Sequence, residues 1–104
     1  MTTLNEKPTQ IYTCTAVEFE LGLIVISKGL GVLIGGSTFF LFPSETRHKN
    51  GDWGNVSIER KIANDKATRE GLSIRSEYNI TGERVRVVTN ADRSETRFSL
   101  VSEH

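Results

Sequence analysis

The sequence predicts a mainly β fold, an antiparallel sheet folded as a small sandwich or barrel, with at most one short helix near residues 61–70. Two observations carry that expectation. The last third of the chain pairs into a three-stranded antiparallel meander, and the first half holds short apolar runs broken by glycines.

In the meander, Leu72, Ile74, Ser76, Tyr78 and Ile80 alternate with Ser73, Arg75, Glu77 and Asn79, the period of a half-buried strand. A two-residue turn at Thr81-Gly82 sets Asn79 opposite Arg84, Tyr78 opposite Val85, Glu77 opposite Arg86 and Ser76 opposite Val87. A four-residue turn at Asn90-Ala91-Asp92-Arg93 then sets Val85 opposite Phe98, Val87 opposite Thr96, Arg86 opposite Arg97 and Arg84 opposite Ser99. Both hairpins agree on which face is buried. A one-residue slip would put Val85 and Phe98 in water.

Upstream, residues 10–21 alternate as a long first strand, with Ile11, Thr13, Thr15, Val17, Phe19 and Leu21 on one side. Residues 23–26 and 32–34 read as short buried strands around a turn at residues 28–31, and residues 37–42 continue until Pro43 closes the segment. Residues 53–62 read as a further strand with Val56, Ile58, Arg60 and Ile62 on one face. Over residues 61–70 a short helix competes with an exposed loop, because Ala, Lys and Glu favour helix and Gly71 can close it, while the apolar stripe is thin.

A chain of 104 residues makes one domain, expected over residues 10–104 behind a flexible tail at residues 1–9. Thirteen basic and thirteen acidic residues cancel. No global field therefore draws the chain to an anionic membrane or to nucleic acid, and a nucleic-acid contact would have to be local. Residues 21–42 carry Lys28 as their only charge, which divides the run into pieces shorter than the roughly 20 residues of a spanning helix. Cys14 is the only cysteine, which excludes an internal disulfide. Together with a polar start that lacks a secretory pattern, it predicts a cytoplasmic protein.

Catalytic and metal signals are sparse. No histidine or cysteine pair has metal-ligand spacing, and no cofactor motif is complete: Ile34 stands where a dinucleotide loop would need its third glycine. His48, between Arg47 and Lys49, reads as a solvated loop histidine and is the sole basis for an enzymatic alternative. Binding signals are stronger. The outward face of the meander carries Arg75, Arg84, Arg86 and Arg97 against Glu77 and Glu95, and the stretch 46–53 adds Arg47, Lys49 and Trp53, the tryptophan also being a core candidate. The expectation is a noncatalytic binding module of inhibitor, immunity or adaptor type, acting on an acidic protein or a phosphate-bearing partner. A barrel holding a small apolar ligand against Phe39, Phe40 and Phe42 is the alternative, and an exposed edge strand offers a route to a homo-oligomer.

Overall fold

The computed structural model describes residues 12–103, so the tail expected over residues 1–9 lies outside the described residues. The fold is not mainly β. In chain order it runs β1 (Leu23–Ile26), α1 (Lys28–Leu33), a 3-10 turn (Thr38–Leu41), α2 (Phe42–Lys49), α3 (Ile58–Glu70), β2 (Ile74–Ile80), β3 (Glu83–Thr89) and β4 (Glu95–Leu100). The strands form one mixed sheet in the order β1-β4-β3-β2, in which β1 runs parallel to β4 and the rest is antiparallel. Among the described residues the sheet is open, with β1 and β2 at its edges, and does not close into a barrel.

The helices form because their ends are supplied with partners. Ser27 caps α1 by accepting from the Leu30 N–H at 3.2 Å, and Glu103 accepts from the Ser27 hydroxyl at 2.6 Å and from the Gly29 N–H at 3.0 Å. A carboxylate at a helix start is also favoured by the helix dipole. This support, with Leu30 fully buried, keeps residues 28–31 helical where a turn is expected from the glycines. Pro43 opens α2 instead of closing a strand, since its missing N–H costs nothing in a first helical turn. Residues 32–34 and 37–42 are accordingly not strands. Nor are residues 53–62: Ser57 caps α3 through the Arg60 N–H at 3.0 Å, and Gly71 closes it in the left-handed conformation at φ 70°.

All three helices and the 3-10 turn lie against one face of the sheet. Leu30, Ile34 and Leu41 pack on Tyr78, Val85, Val87 and Phe98, while Ala67 of α3 joins Phe19, Trp53 and Ile74 in a second cluster. Residues 12–22 are extended but pair with no strand. Their polar groups go to α3 instead: the Thr15 N–H donates to Asp65 at 2.9 Å, the Val17 N–H donates to the Thr68 hydroxyl at 3.0 Å, and Arg69 donates to the Thr15 carbonyl at 3.0 Å. A period-two pattern cannot distinguish a strand from an extended segment satisfied by helix side chains.

The first predicted hairpin is correct residue for residue, with Glu77 opposite Arg86 and Tyr78 opposite Val85. The second is shifted by two. Val87 faces Phe98, Arg86 faces Ser99, and Arg97 faces Val88, so the predicted opposition of Arg86 and Arg97 does not exist. The turn starts one residue late because the Asn90 side chain caps it, accepting from the Ser94 and Glu95 N–H groups at 3.0 and 3.1 Å, with Arg93 at φ 62°. A two-residue shift preserves the buried face, which is why the inside of the meander is as expected.

Asp65 on α3 is the densest polar junction. It is 2 % exposed and accepts from the Trp53 indole at 2.8 Å, from the Tyr12 hydroxyl at 2.7 Å and from the Thr15 N–H. Burial alone would raise its carboxyl, but these donors hold it below the usual carboxylate value. Asp65→Ala leaves several donors without an acceptor and should cost on the order of 3 kcal/mol or more in urea unfolding, with a shift in Trp53 fluorescence. A loss below about 1 kcal/mol would show that Asp65 does not hold this junction together.

Candidate binding surface

The face of the sheet turned away from the helices carries Arg75, Glu77 and Asn79 on β2, Arg84, Arg86 and Val88 on β3, and Glu95, Arg97 and Ser99 on β4. Strand alternation puts them there, since the residues between them fill the core. Glu77 sits between two arginines, 3.0 Å from Arg84 and 3.6 Å from Arg86 Nε. Arg97 pairs with Glu95 of its own strand at 3.3 Å. Three of the four predicted arginines are thus partly neutralised. Arg86 Nε is nevertheless shielded from solvent and has no hydrogen-bond partner.

Arg75 differs. Among the described residues it makes no ion pair, and it lines a cleft of about 400 Å³ together with Glu77, the loop residues Asn55, Val56 and Ser57, and Glu59, Arg60 and Ala63 of α3. Arg60 also makes no ion pair among the described residues. The cleft exists because the 54–57 loop is held against β2. Gly54 bridges to Glu77 in a parallel sense, and the Asn55 N–H donates to the Glu77 carbonyl at 2.7 Å. At φ 74°, where an added β-carbon would collide with the Glu77 carbonyl and the Tyr78 ring, position 54 accepts only glycine. Sequence reading missed Arg60 as a site residue because it took residues 53–62 for a strand. The usable signal was Ser57 with Gly71, a start and a stop bracketing a helix.

The basic stretch at residues 46–53 does not join this surface. Its basic residues Arg47 and Lys49 lie in the last turn of α2, in the helix layer. Arg47 is paired with Asp52 through two bonds of 2.7 and 3.1 Å and lies over the Tyr78 ring at 4.8 Å, while Lys49 is exposed at the helix end. The Arg47 guanidinium holds the Asp52 carboxyl below its ordinary value. Trp53 is 1 % exposed, a core residue and not an exposed anchor. Phe39, Phe40 and Phe42 line no interior cavity; all three are exposed.

His48 corrects the sequence reading most sharply, because it is fully buried and not a solvated loop residue. Its ring packs edge-on against Phe19 and Trp53, and its nitrogens meet the hydroxyls of Ser76 at 2.6 Å and Thr89 at 2.9 Å. The bond directions follow from the far end of the chain of contacts. Thr96 donates to the Leu21 carbonyl at 2.7 Å, so Thr89 donates to Thr96 at 2.6 Å. His48 Nε2–H must then donate to Thr89, and Nδ1 accepts from Ser76. A neutral imidazole fits this arrangement, and burial, aided by the charge of Arg93, pushes its pKa down to about 3. Among the described residues, no cluster of histidine, cysteine and carboxylate side chains suits a metal ion. No described helix is long and apolar enough to cross a membrane.

No family model, curated protein or solved structure matches this chain. The surface is therefore read from its own chemistry.

Unfolded, His48 takes up a proton near its ordinary value of 6.5; folded, it resists one until pH falls to about 3. The unfolded chain binds more protons across that window, so stability falls as pH is lowered, by about 1.4 kcal/mol per pH unit at most. The depressed carboxyls of Asp52 and Asp65 contribute stability that is lost only below their ordinary value of 3.8. Denaturant unfolding between roughly pH 6 and 4.5 should show this slope in the wild type and a flat, lower stability in His48→Gln. Equal slopes in the two proteins would remove His48 as its source.

Proposed function

We propose that the protein is a noncatalytic binding module that captures an acidic segment of another protein at the junction of its open sheet face and the start of α3. The observation carrying this reading is that Arg60 and Arg75 line one cleft and neither is engaged in an ion pair among the described residues. A carboxylate between two guanidiniums gains charge-assisted bonds, and the start of α3 adds a favourable field. Glu59 and Glu77 on the cleft rim would reject a densely acidic ligand, which favours a segment with few, well-placed carboxylates. His48 supports a structural role in place of a catalytic one, since both ring nitrogens are occupied inside the core.

The reading predicts a localised response to an acidic peptide. Titration of labelled protein with a short peptide containing two or three aspartates should move amide signals at residues 55–60 and 75–77. Arg60→Ser with Arg75→Ser should weaken binding tenfold or more, with melting unchanged because neither side chain holds a core contact. Equal binding by the double variant sinks this site, and a response to inorganic phosphate but not to the peptide replaces the partner class.

A further inference from the structure

We propose that the free edge of β1 is a self-association site, at which two copies pair their β1 strands antiparallel about a two-fold axis at Val25 and join their sheets. This surface is separate from the Arg60 and Arg75 cleft and does not depend on that reading.

The two edges of the sheet are built differently. On β2 the outward backbone groups of Arg75 and Glu77 are used: the Asn64 side chain donates to the Arg75 carbonyl at 2.7 Å and accepts from its N–H at 3.1 Å, and Glu77 bonds to Trp53 and Asn55. Among the described residues, the only paired side of β1 is the one facing β4, where the Leu23 and Ser27 N–H groups donate to Ser94 and Phe98. The alternation of a parallel ladder then turns the N–H and C=O groups of Ile24 and Ile26 outward, a template for another strand. With Ile24 opposite Ile26 of the second copy, both residues are doubly bonded and Val25 meets its own equivalent. Such a contact is isologous and closes at two copies.

The side chains around this edge are those of an interface. Ile24 and Ile26 form one wall of a groove of about 250 Å³, with Leu41 and Phe42 on the other side. Phe39 packs edge-on against Phe42 at a centroid distance of 6.0 Å, and the two rings are 72 % and 55 % exposed. Taking about 200 Å² for a whole aromatic side chain, Phe39 and Phe42 alone present roughly 250 Å². Leu23, 69 % exposed, and the half-buried Ile24, Val25 and Ile26 extend this to the order of 500 Å². That is more than half of the roughly 800 Å² each partner gives to a stable interface. A second copy is the occupant favoured by charge as well: the chain is formally neutral, and Glu45 is the only ionisable side chain lining the groove, so self-association meets little like-charge repulsion.

Light scattering coupled to size exclusion, from micromolar to millimolar protein, should give a dimer mass for the wild type. Val25→Lys, which places like charges at the axis, and Phe42→Glu should each give a folded monomer with the circular dichroism of the wild type. In a Cys14→Ser background, Val25→Cys should form an interchain disulfide on mild oxidation and Leu23→Cys should not, because non-hydrogen-bonded antiparallel pairs stand about 4.5 Å apart, within disulfide reach. The proposal is overturned by a wild-type monomer across the whole range, or by a dimer that survives Val25→Lys. It is also overturned by a monomer that sediments with phosphatidylcholine–phosphatidylserine vesicles and loses that binding in Phe42→Glu, which would make the patch a lipid contact.

Discussion

A carboxylate withdrawn from water must be given hydrogen-bond donors, and the placement of α3 in this protein follows from how Asp65 obtains them. One donor comes from the Trp53 indole, and two come from the extended segment through Tyr12 and Thr15. Two stretches separate in sequence are thereby fixed to the middle of one helix. With α3 held there, its capped start lies beside β2, and Arg60 comes to line the same cleft as Arg75. The cleft is therefore a consequence of a buried junction on the other side of the helix.

A second polar line runs through the core from Ser76 to His48, Thr89, Thr96 and the Leu21 carbonyl. It binds α2 to the sheet and the sheet to the extended segment. It also discriminates between strand registers. Thr89 must stand opposite Thr96 for the relay to continue, and a register with Val87 opposite Thr96 would strand a hydroxyl in an apolar core. The Asn90-capped turn and this network favour the same pairing, so local and tertiary preferences agree.

Stacking every helix on one face gives the sheet two unequal surfaces and two unequal edges. The open face is mostly charged and partly self-neutralised around Glu77. At the β2 edge the backbone groups of Arg75 and Glu77 are occupied by Asn64, Trp53 and Asn55, whereas the β1 edge has no backbone partner among the described residues and is bordered by Phe42. Arg93 ties the two layers together at the far end, donating to the Ala67 carbonyl at the end of α3 and to Leu72. A guanidinium at a helix C-terminus is favoured by the dipole, and here it also fixes the turn that sets the β3–β4 register.

The sequence by itself determined what depends on neighbours along the chain. Period-two alternation and a two-residue turn specify the β2–β3 hairpin to the residue, and the arginines of the outward face are placed correctly, because face follows from parity alone. Gly71 as a helix stop was legible for the same reason. Ser76, Thr89 and Thr96, polar residues at inward positions, were a readable hint that something polar is buried opposite them, although not that it is His48. What only the tertiary structure decided are features whose partners lie far away in sequence. Lys28–Leu33 is helical because Glu103 and the core support a weak, glycine-bearing segment, and the first alternating stretch is not a strand because Asp65, Thr68 and Arg69 satisfy it. Trp53 and His48 are interior because a helix layer closes over them. Periodicity records which side of a segment is buried; the partner that buries it is set by contacts between distant parts of the chain.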